Sequence, residues 1–426
     1  MNHTLLKQII MDQHAIIRDF RITARDYAFE PDADYILTGL RRAGKSTILY
    51  GIVRNLIAAG TDWNQIVYIN FEDERLSDFT WKDFNDIVET ASELSSEKTY
   101  YFFDEIQNID RWESFARRMA DAKEKVWITG SNARMLSSEM ESKLGGRYLS
   151  REIMPYDFEE YLTAKNIPHS ENDLIATKSA GLIRAAADSF WREGGFPESV
   201  SYLDKRSYAE NVYQKVLLGD IAARNGIRQV EGLRILMKKT AETVCRPVSY
   251  TKLYNTLHSI GIHLSKDTVI TYIHYAEDAF LLFDLKNYYS KFNERESNPK
   301  FYFYDNALLN LFLFNKDSAL LENEVAVSLR RRYRKNVWYL QSSRTGIDID
   351  FYVPEKQLAI QVAASISDPD TRRRETGNLI KLSQNSDDIR KFIIVTFEEE
   401  ETIYEKNTEI SVIPLYKFLL GYGLDK

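Results

Sequence analysis

After its first predicted strand the chain carries the stretch Gly39-Leu40-Arg41-Arg42-Ala43-Gly44-Lys45-Ser46-Thr47. This stretch matches the pattern G-x-x-x-x-G-K-[ST], and it lies between an apolar run at 35–38 and a helical pattern over 47–59. The glycines let such a loop curl tightly, so that successive backbone N–H groups point at phosphate oxygens near a helix N-terminus. The sequence therefore predicts a P-loop that binds ATP, with Lys45 on the β- and γ-phosphates and the Ser46 hydroxyl on Mg²⁺.

An apolar strand that ends in acidic residues is the second element that such a site requires. Residues 100–105 have the sequence YYFFDE and supply it. Asp104 is the predicted Mg²⁺ residue, and Glu105 is placed to polarise the attacking water as general base. An acidic pair after an aromatic run is also found in surface turns, but the P-loop upstream favours the catalytic interpretation. The adjacent glutamate predicts hydrolysis rather than kinase chemistry.

Polar residues near the γ-phosphate are expected on a further strand, which lies between the phosphate strand and the acidic strand in this class of P-loop protein. The run 126–129 fits that strand, so Ser131 and Asn132 behind it are predicted γ-phosphate sensors, with an ordinary turn as the alternative. Arg147 is a candidate arginine finger, which would neutralise transition-state charge. A surface ion pair is the alternative for Arg147, and a finger that acts on a neighbour's nucleotide requires a homo-oligomer.

Length and composition place the chain among multidomain globular proteins. Its 426 residues, at ~150 residues per domain, predict about three domains. The hydrophobic fraction of 44% and the charged fraction of 28% exclude a disordered or collagen-like chain. No apolar run approaches the ~18 residues of a membrane span, and the first residues, MNHTLLKQIIMDQH, lack the apolar stretch and cleavage site of a signal peptide, so we expect a cytoplasmic protein without a membrane partner. Cys245 is the single cysteine, which excludes an intrachain disulfide and a cysteine zinc cluster.

Short apolar runs alternate with longer amphipathic stretches in the first part of the chain. Four of these runs are predicted strands, at 35–38, 66–70, 99–103 and 126–129. The alternation is typical of a parallel sheet built from βαβ units. The periodicity then becomes helical from residue 170, and strands mix with helices again over the last quarter of the chain. The predicted fold class is therefore α/β.

Residues 249–304 predict a winged helix. Ser249 and Ser265 stand at helix N-cap positions, with Gly261 in the connection between the two helices. The second helix is expected to bury one set of residues and to expose another, namely Val269, Tyr272, Ile273 and Ala276 against Lys266, Thr271, His274 and Tyr275. Two strand-like runs, 281–285 and 301–304, frame a predicted wing with the basic residues Lys286, Lys291, Arg295 and Lys300.

The charge of the middle region favours a nucleic-acid partner without deciding for it. Residues 221–340 hold 18 Lys and Arg against 12 Asp and Glu, in a chain of net charge −7. A basic recognition helix and wing would bind double-stranded DNA through the major groove and the phosphates. A winged helix that packs between an ATPase and an effector domain is the alternative, and so is a basic surface that is merely solvated.

The order of predicted elements after Leu320 is similar to the PD-(D/E)xK nuclease fold. An active site of that type needs a first Asp, then a carboxylate, one spacer and a Lys, because two acids hold Mg²⁺ and the Lys assists the hydroxide. Asp350 fills the first position, but Gln361 and Ala363 fill the others. Help from Asp348 or Glu324 would not restore this set, so we expect no DNA cleavage. The basic run 330–335 beside it is a phosphate contact or a solvated helix end.

Seven segments of the chain carry a resemblance that extends over nearly its whole length. They are GLRRAGKST (39–47), FFDEIQNIDRWE (102–113), TGSN (129–132), GGR (145–147), PYDFEEYL (155–162), GGFPESV (194–200) and VLLGDIAARNGIR (216–228). Together they resemble the AAA-type ATP-binding proteins of bacteria and archaea that carry a C-terminal domain of unknown function. The resemblance implies an AAA-like P-loop NTPase core, with Lys45, Asp104 and Glu105 in the roles given above.

The expected organisation has three domains. They are an AAA-like ATPase domain at 1–165, a helical and winged-helix region at 166–310, and a nuclease-like domain at 311–426 that has lost its catalytic set. The expected function is Mg²⁺-dependent ATP hydrolysis that switches the conformation of the C-terminal half, with ATP and Mg²⁺ as cofactors. Two alternatives stay open, an ATP-regulated DNA endonuclease and a nucleotide-binding scaffold without turnover. The expected partners are ATP, double-stranded DNA through the winged helix, and a second copy or another protein.

Overall fold

The chain folds into two compact units. The computed structural model describes residues 2–136, 138–314, 317–386 and 388–424. The first unit contains residues 1–154 and 278–280, and the second contains residues 155–277 and 281–426. The predicted boundary near residue 310 lies inside the second unit, and the division into three domains stays a prediction.

A five-stranded parallel sheet forms the centre of the first unit. Its strands are β1 Asp34–Thr38, β2 Ile66–Asn70, β3 Tyr100–Asp104, β4 Lys125–Gly130 and β5 Tyr148–Glu152. They lie in the order β2-β3-β4-β1-β5, and every neighbouring pair is parallel. The α/β fold class is thereby confirmed, and β4 lies between the phosphate strand and the acidic strand as expected. The four predicted strands are present, and their observed ends differ from the predicted ends by at most one residue. The fifth strand, β5, was not predicted.

Five helices surround this sheet and bury its faces. They are α1 His3–Asp19, α2 Lys45–Ala58, α3 Phe84–Leu94, α4 Trp112–Asp121 and α5 Ser138–Leu144. Asn2 caps the first helix, since its side chain accepts a hydrogen bond from the Thr4 N–H, and the helix buries Leu6, Ile9 and Ile10 on one face. On the side of α3 and α4, the rings of Phe84 and Phe115 stack with centroids 4.3 Å apart.

Helices make up the first half of the second unit. They are α6 Phe158–Ala164, α7 Glu171–Ile175, α8 Thr177–Glu193, α9 Lys205–Lys215, the π-helix Val216–Ala223, α10 Val230–Glu242, α11 Tyr250–Ser259 and α12 Lys266–Asp278. Ser249 caps α11 and Ser265 caps α12, as predicted. The predicted inner residues of α12 are buried, and of the predicted outer ones Lys266, Thr271 and His274 are exposed and Tyr275 is half-buried. No helix within the described ranges has the length and apolarity needed to cross a bilayer.

The rest of the second unit combines a hairpin with a mixed sheet. Its elements are β6 Leu282–Leu285, α13 Phe292–Ser297, β7 Lys300–Phe303, α14 Asn306–Leu309, α15 Asp317–Tyr333, β8 Trp338–Ser342, β9 Ile347–Val353, β10 Leu358–Val362, α16 Pro369–Asn385, β11 Lys391–Thr396, β12 Glu401–Glu405, β13 Thr408–Pro414 and α17 Leu415–Leu419. Strands β6 and β7 pair antiparallel, and the large sheet has the order β12-β13-β11-β10-β9-β8. The sequence did not reveal β12, which pairs with β13 through the two-residue turn Lys406-Asn407, where both residues have positive φ.

Gly194 occupies a position that only glycine tolerates. Its φ is +76°, and an added Cβ would overlap the Oδ1 atom of Asp305. The Asp305 carboxylate accepts hydrogen bonds from the backbone N–H groups of Gly195 (2.9 Å) and Ala307 (2.8 Å). The segment GGFPESV therefore needs Gly194 because the backbone passes directly against this buried carboxylate, and it needs Gly195 because a Cβ there would overlap the carbonyl oxygen of Tyr156.

Replacing Gly194 tests this packing. We expect Gly194→Ala to lower the free energy of unfolding by about 3 kcal/mol, because the methyl group forces both the backbone and Asp305 to move. Gly181→Ala is the matched control, since Gly181 lies in α8 with open space around its Cβ position, and alanine there should stabilise the protein by about 0.5–1 kcal/mol. Thermal unfolding of both variants measures the difference, and equal midpoints for the two would contradict the packing argument.

Candidate nucleotide-binding site

The predicted P-loop curls between β1 and α2 in a conformation that requires its glycines. Gly39 has φ +145° and Gly44 has φ +95°, and a Cβ on Gly39 would overlap the carbonyl oxygen of Ile153. Arg42 also has a positive φ of 65°. The helix α2 begins directly behind the loop at Lys45. Its free N–H groups and the positive end of its dipole therefore face the loop, which suits a phosphate group.

Lys45 closes the loop and faces the acidic pair. The side chain is buried, and Nζ donates hydrogen bonds to the carbonyl oxygens of Gly39 (3.1 Å) and Leu40 (3.2 Å). The same ammonium lies 3.5 Å from Oε1 of Glu105. A buried ammonium needs an anionic partner, so Lys45 is held where either a carboxylate or a phosphate can neutralise it.

Asp104 lies at the end of β3 among hydroxyl groups. Its carboxylate accepts hydrogen bonds from the hydroxyls of Tyr68 (2.7 Å), Thr129 and Ser46. Burial, followed by the charge of Glu105, raises the pKa of Asp104, and the three hydroxyls oppose this shift. The carboxylate and the Ser46 hydroxyl are adjacent hard oxygen ligands, which fits Mg²⁺.

The backbone of Glu105 is strained, and hydrogen bonds hold its carboxylate in place. Its φ is +52°, and its N–H donates to the Thr129 hydroxyl oxygen at 2.9 Å. Oε2 accepts a hydrogen bond of 2.5 Å from Nε2 of Gln107. Burial works against ionisation, but the positive charges of Lys45 and Arg41 and the hydrogen bonds of the site hold the pKa of Glu105 below its usual value. The group is therefore an ionised carboxylate, as a general base must be.

The two predicted sensors have different surroundings. Ser131 is fully buried, hydrogen-bonds to Glu105, and lies 3.4 Å from Nε2 of Gln107. The side chain of Asn132 accepts a hydrogen bond from the Arg134 N–H (2.8 Å) and so caps the short turn that follows. The structure thus brings Ser131 to the acidic pair and uses the side-chain oxygen of Asn132 in the turn that was the alternative interpretation.

Arg147 does not reach the site of its own chain. It precedes β5, which runs parallel to β1, so it lies at the amino edge of the sheet while the P-loop lies at the carboxyl edge. Five residues of strand separate these edges by roughly 15 Å. Its guanidinium donates to Asp121 (2.6 Å) and to the carbonyl oxygen of Leu144 (3.2 Å). This is the ion pair that was the alternative to an arginine finger, and it leaves a finger role only toward a neighbouring molecule.

Some contacts around the loop could not be predicted from its motif. Arg41 pairs with Glu72 at 2.8 Å behind β2. The guanidinium of Arg25 donates to the carbonyl oxygens of Ala43 and Met154, both at 2.8 Å, and so supports the loop from outside. Of the remaining motif residues, Leu40 and Ala43 are buried and Arg42 is exposed, while Thr47 is half-buried in the first turn of α2.

Comparison with known proteins places this site in a family. A family model described as an AAA domain matches residues 33–162, and a model described as a domain of unknown function matches residues 184–319. An uncharacterised protein of Haemophilus influenzae is 30% identical over 398 residues, which cover 90% of this chain and 92% of that protein. The chain belongs to the family of AAA-domain proteins with a C-terminal domain of unknown function.

Two further proteins are similar to this AAA-domain protein over most of its length. The uncharacterised protein MJ1544 of Methanocaldococcus jannaschii is 28% identical over 432 residues, which cover 98% of this chain and 96% of that protein. The solved structure of the Walker-type ATPase PABY2304 of Pyrococcus abyssi is 13% identical, with a TM-score of 0.37 over 70% of this chain and 99% of that chain.

A second cluster of charges lies in the second unit of the AAA-domain protein, around Lys300. This lysine is buried on β7, and its Nζ lies 3.2 Å from Oδ1 of Asp350 and 3.6 Å from Oε1 of Glu322. Burial, followed by the charge of Asp350, raises the pKa of Glu322 to about 7. In the nuclease motif, Ala363 stands at the position that needs a lysine. The structure nevertheless has an ammonium group beside Asp350, because Lys300 comes from another strand 50 residues upstream.

The other predicted members of that cluster have separate roles. Gln361 accepts a hydrogen bond from the Asp350 N–H (2.8 Å) and donates to Glu375 (2.7 Å). Glu324 does not approach Asp350. It lies near Asp305 and Arg331, and burial followed by the charge of Asp305 raises its pKa to about 8. The acid that accompanies Asp350 is thus Glu322, one α-helical half-turn earlier.

The predicted wing presents fewer basic groups than its sequence suggests. Lys300 is buried, and Lys286 donates to both carboxylate oxygens of Glu296 at 2.7 Å. Arg295 donates to the carbonyl oxygens of Ser290 (2.7 Å) and Tyr288 (2.6 Å). Three of the four basic residues predicted for the wing are therefore engaged within the protein. In the basic run 330–335, Arg331 contacts Asp157 (3.7 Å) and Glu160 (3.5 Å).

The raised pKa of Glu324 predicts a pH-dependent stability. Because the folded carboxyl holds its proton up to about pH 8 while the unfolded one loses it near pH 4.5, this group lowers the free energy of unfolding as the pH rises through that window. We expect Glu324→Gln to raise the thermal midpoint more at pH 8.5 than at pH 5. The exposed Glu355→Gln serves as control and should change little at either pH. A change in the thermal midpoint by Glu324→Gln that is the same at both pH values would contradict this explanation.

Proposed function

We propose that the AAA domain binds ATP with Mg²⁺ and hydrolyses the γ-phosphate. The observation that carries this proposal is the position of Glu105, an ionised carboxylate held between Lys45 and Gln107 directly beside Asp104. An ionised base, a buried lysine and a glycine-rich loop at one sheet edge are the groups that phosphoryl transfer to water requires.

Each residue of the site has a definable task in this reaction. The N–H groups of the loop and the ammonium of Lys45 bind the phosphate oxygens. Ser46 and Asp104 would hold Mg²⁺, which neutralises charge on the phosphates when bound. In this proposal Glu105 orients the attacking water and accepts its proton, and Ser131, which hydrogen-bonds to Glu105, senses the γ-phosphate. The phosphate takes over the contact that Glu105 makes with Lys45, which frees Oε1 for the water.

The same exchange supplies the signal for a conformational switch of the second unit. A bound triphosphate shifts a two-state equilibrium only by its differential affinity for the two states, and the γ-phosphate distinguishes them through Lys45 and Ser131. An arginine-finger role for Arg147 would require a neighbouring molecule, because in its own chain Arg147 lies at the opposite edge of the sheet from the P-loop. Nucleotide binding without turnover, as in a scaffold, is the rival outcome.

Steady-state phosphate release tests the hydrolysis. We expect Mg²⁺-dependent release by the wild-type protein, loss of nucleotide binding in Lys45→Ala, and retained binding with turnover reduced about 100-fold or more in Glu105→Gln. The exposed Glu97→Gln is the control and should match the wild type. Wild-type binding of ATP without release would favour the scaffold, and no binding at all would overturn the proposed site.

We also propose, as a second function, that the second unit cleaves DNA with a divalent cation. The specific observation is the position of Lys300. Its ammonium group lies beside Asp350 and Glu322, where the nuclease motif in the sequence has no lysine. When Asp350 and Glu322 are both ionised, they and the single ammonium leave a net negative charge at the cluster, and the carboxylate oxygens are hard ligands that fit Mg²⁺ or Mn²⁺. The helix α12 and the exposed Lys291 on the wing would contact the phosphates of the DNA, in the winged-helix arrangement that the sequence predicts.

Plasmid cleavage in the presence of ATP and Mn²⁺ tests this second function. We expect nicking by the wild-type protein that is lost in Asp350→Ala and in Lys300→Met, because the first removes a ligand and the second removes the charge next to the reacting phosphate. Lys291→Met is the control. It should lower the affinity for DNA and reduce the dependence of that affinity on salt concentration, but at saturating protein the rate of cleavage should equal that of the wild type. Nicking that survives Asp350→Ala, or no nicking by the wild type, would reject the nuclease.

A further inference from the structure

Gln107 contacts both Glu105 and Ser131, although the motif of the site does not include it. It lies in the short helical turn Ile106–Asn108 directly behind the acidic pair. Its Nε2 donates to Oε2 of Glu105 at 2.5 Å and lies 3.4 Å from the Ser131 hydroxyl oxygen. The opposite orientation of the amide would set two acceptor oxygens against each other at that short distance, so the carboxylate of Glu105 itself fixes the orientation of Gln107.

The other end of the Gln107 amide has a different environment. Within the described residues its Oε1 is buried and has no hydrogen-bond partner. Leaving a buried acceptor unpaired costs about 1–3 kcal/mol. A glutamine that served only packing would satisfy both ends of its amide, whereas here every polar contact is directed to Glu105 and Ser131. The cost of the unpaired Oε1 atom is therefore accepted at position 107 together with the contacts that Nε2 makes to Glu105 and Ser131.

The end of β4 is shaped to accommodate Gln107. A Cβ on Gly130 would lie 2.5 Å from Oε1 of Gln107 and would overlap Sδ of Met135. Gly130 has an ordinary φ, so the requirement for glycine here comes from space and not from backbone conformation. The glycine of the segment TGSN thus leaves room for the side chains of Met135 and Gln107.

We propose that Gln107 is a positioning residue of the hydrolytic site. By holding Oε2 of Glu105, it keeps the other oxygen directed at the space in front of Lys45, and through Ser131 it links the orientation of the base to the γ-phosphate. When a triphosphate draws Lys45 away from Glu105, the hydrogen bond from Gln107 keeps the carboxylate in place. This inference rests on the proposed ATP hydrolysis and adds a residue to it.

A substitution without a hydrogen-bond donor tests the inference. We expect Gln107→Met, which keeps the length of the side chain, to lower kcat by about 10- to 100-fold while KM and the affinity for a fluorescent ATP analogue stay within about threefold. Gln107→Asn, whose amide is one methylene too short to reach Glu105, should give the same result if the methionine variant does not fold. The control is Asn108→Ala in the same turn, because the Asn108 amide donates to the Phe71 carbonyl oxygen instead.

A double-mutant cycle distinguishes positioning from general damage. In the Glu105→Gln background, Gln107→Met should cause no further loss of kcat, because Gln107 acts through Glu105. Independent losses that multiply, or a kcat of Gln107→Met within twofold of the wild type, would overturn the inference while leaving ATP hydrolysis intact. A wild-type protein that binds ATP without releasing phosphate would overturn both, and phosphate release by the wild type therefore separates the two failures.

Discussion

The nucleotide site depends on the ion pair between a buried lysine, Lys45, and an anion beside it. Lys45 lies in the interior between the carbonyl oxygens of the loop and the carboxylate of Glu105. Separating a buried charge from its partner is strongly unfavourable, so in the proposed reaction a phosphate in the loop would replace the carboxylate as the partner of Lys45. The parallel order of β1, β4 and β3 brings the loop and Glu105 to the same edge of the sheet, within reach of one ammonium.

The second unit also contains a buried lysine with anionic partners, but there the lysine faces two acids. Lys300 is buried like Lys45, but its two partners, Asp350 and Glu322, come from a strand and a helix instead of the ends of parallel strands. Burial, followed by the negative charge of Asp350, raises the pKa of Glu322, so two acids beside one lysine are unfavourable when both are ionised. A divalent cation would relieve this imbalance. The two clusters thus share a buried lysine but differ in the ligand that their net charge favours.

Local sequence signals predicted the first unit well, since each relevant residue lies at the end of a strand that its own neighbours define. The P-loop, Asp104, Glu105 and Ser131 meet because parallel strands end at one edge, and that follows from a βαβ pattern. Arg147 shows the limit of the argument, because its motif gave no information on which sheet edge it occupies. Lys300 and Gln107 show another limit. The contact of Lys300 with Asp350 joins segments about 50 residues apart, and Gln107 is recognisable only once the geometry of Glu105 is known.

Both outer strands of the six-stranded sheet are protected, and in different ways. The backbone of β8 bonds to the segment after β6, through the Tyr288 N–H to the Tyr339 carbonyl oxygen and the Tyr339 N–H to that of Lys286. At the other end, β12 begins and ends with glutamates, of which Glu401 pairs with Arg372 at 2.6 Å. An exposed strand edge invites pairing with another chain, and charged side chains along it discourage that. These contacts discourage the folded sheet from pairing edge to edge with other chains.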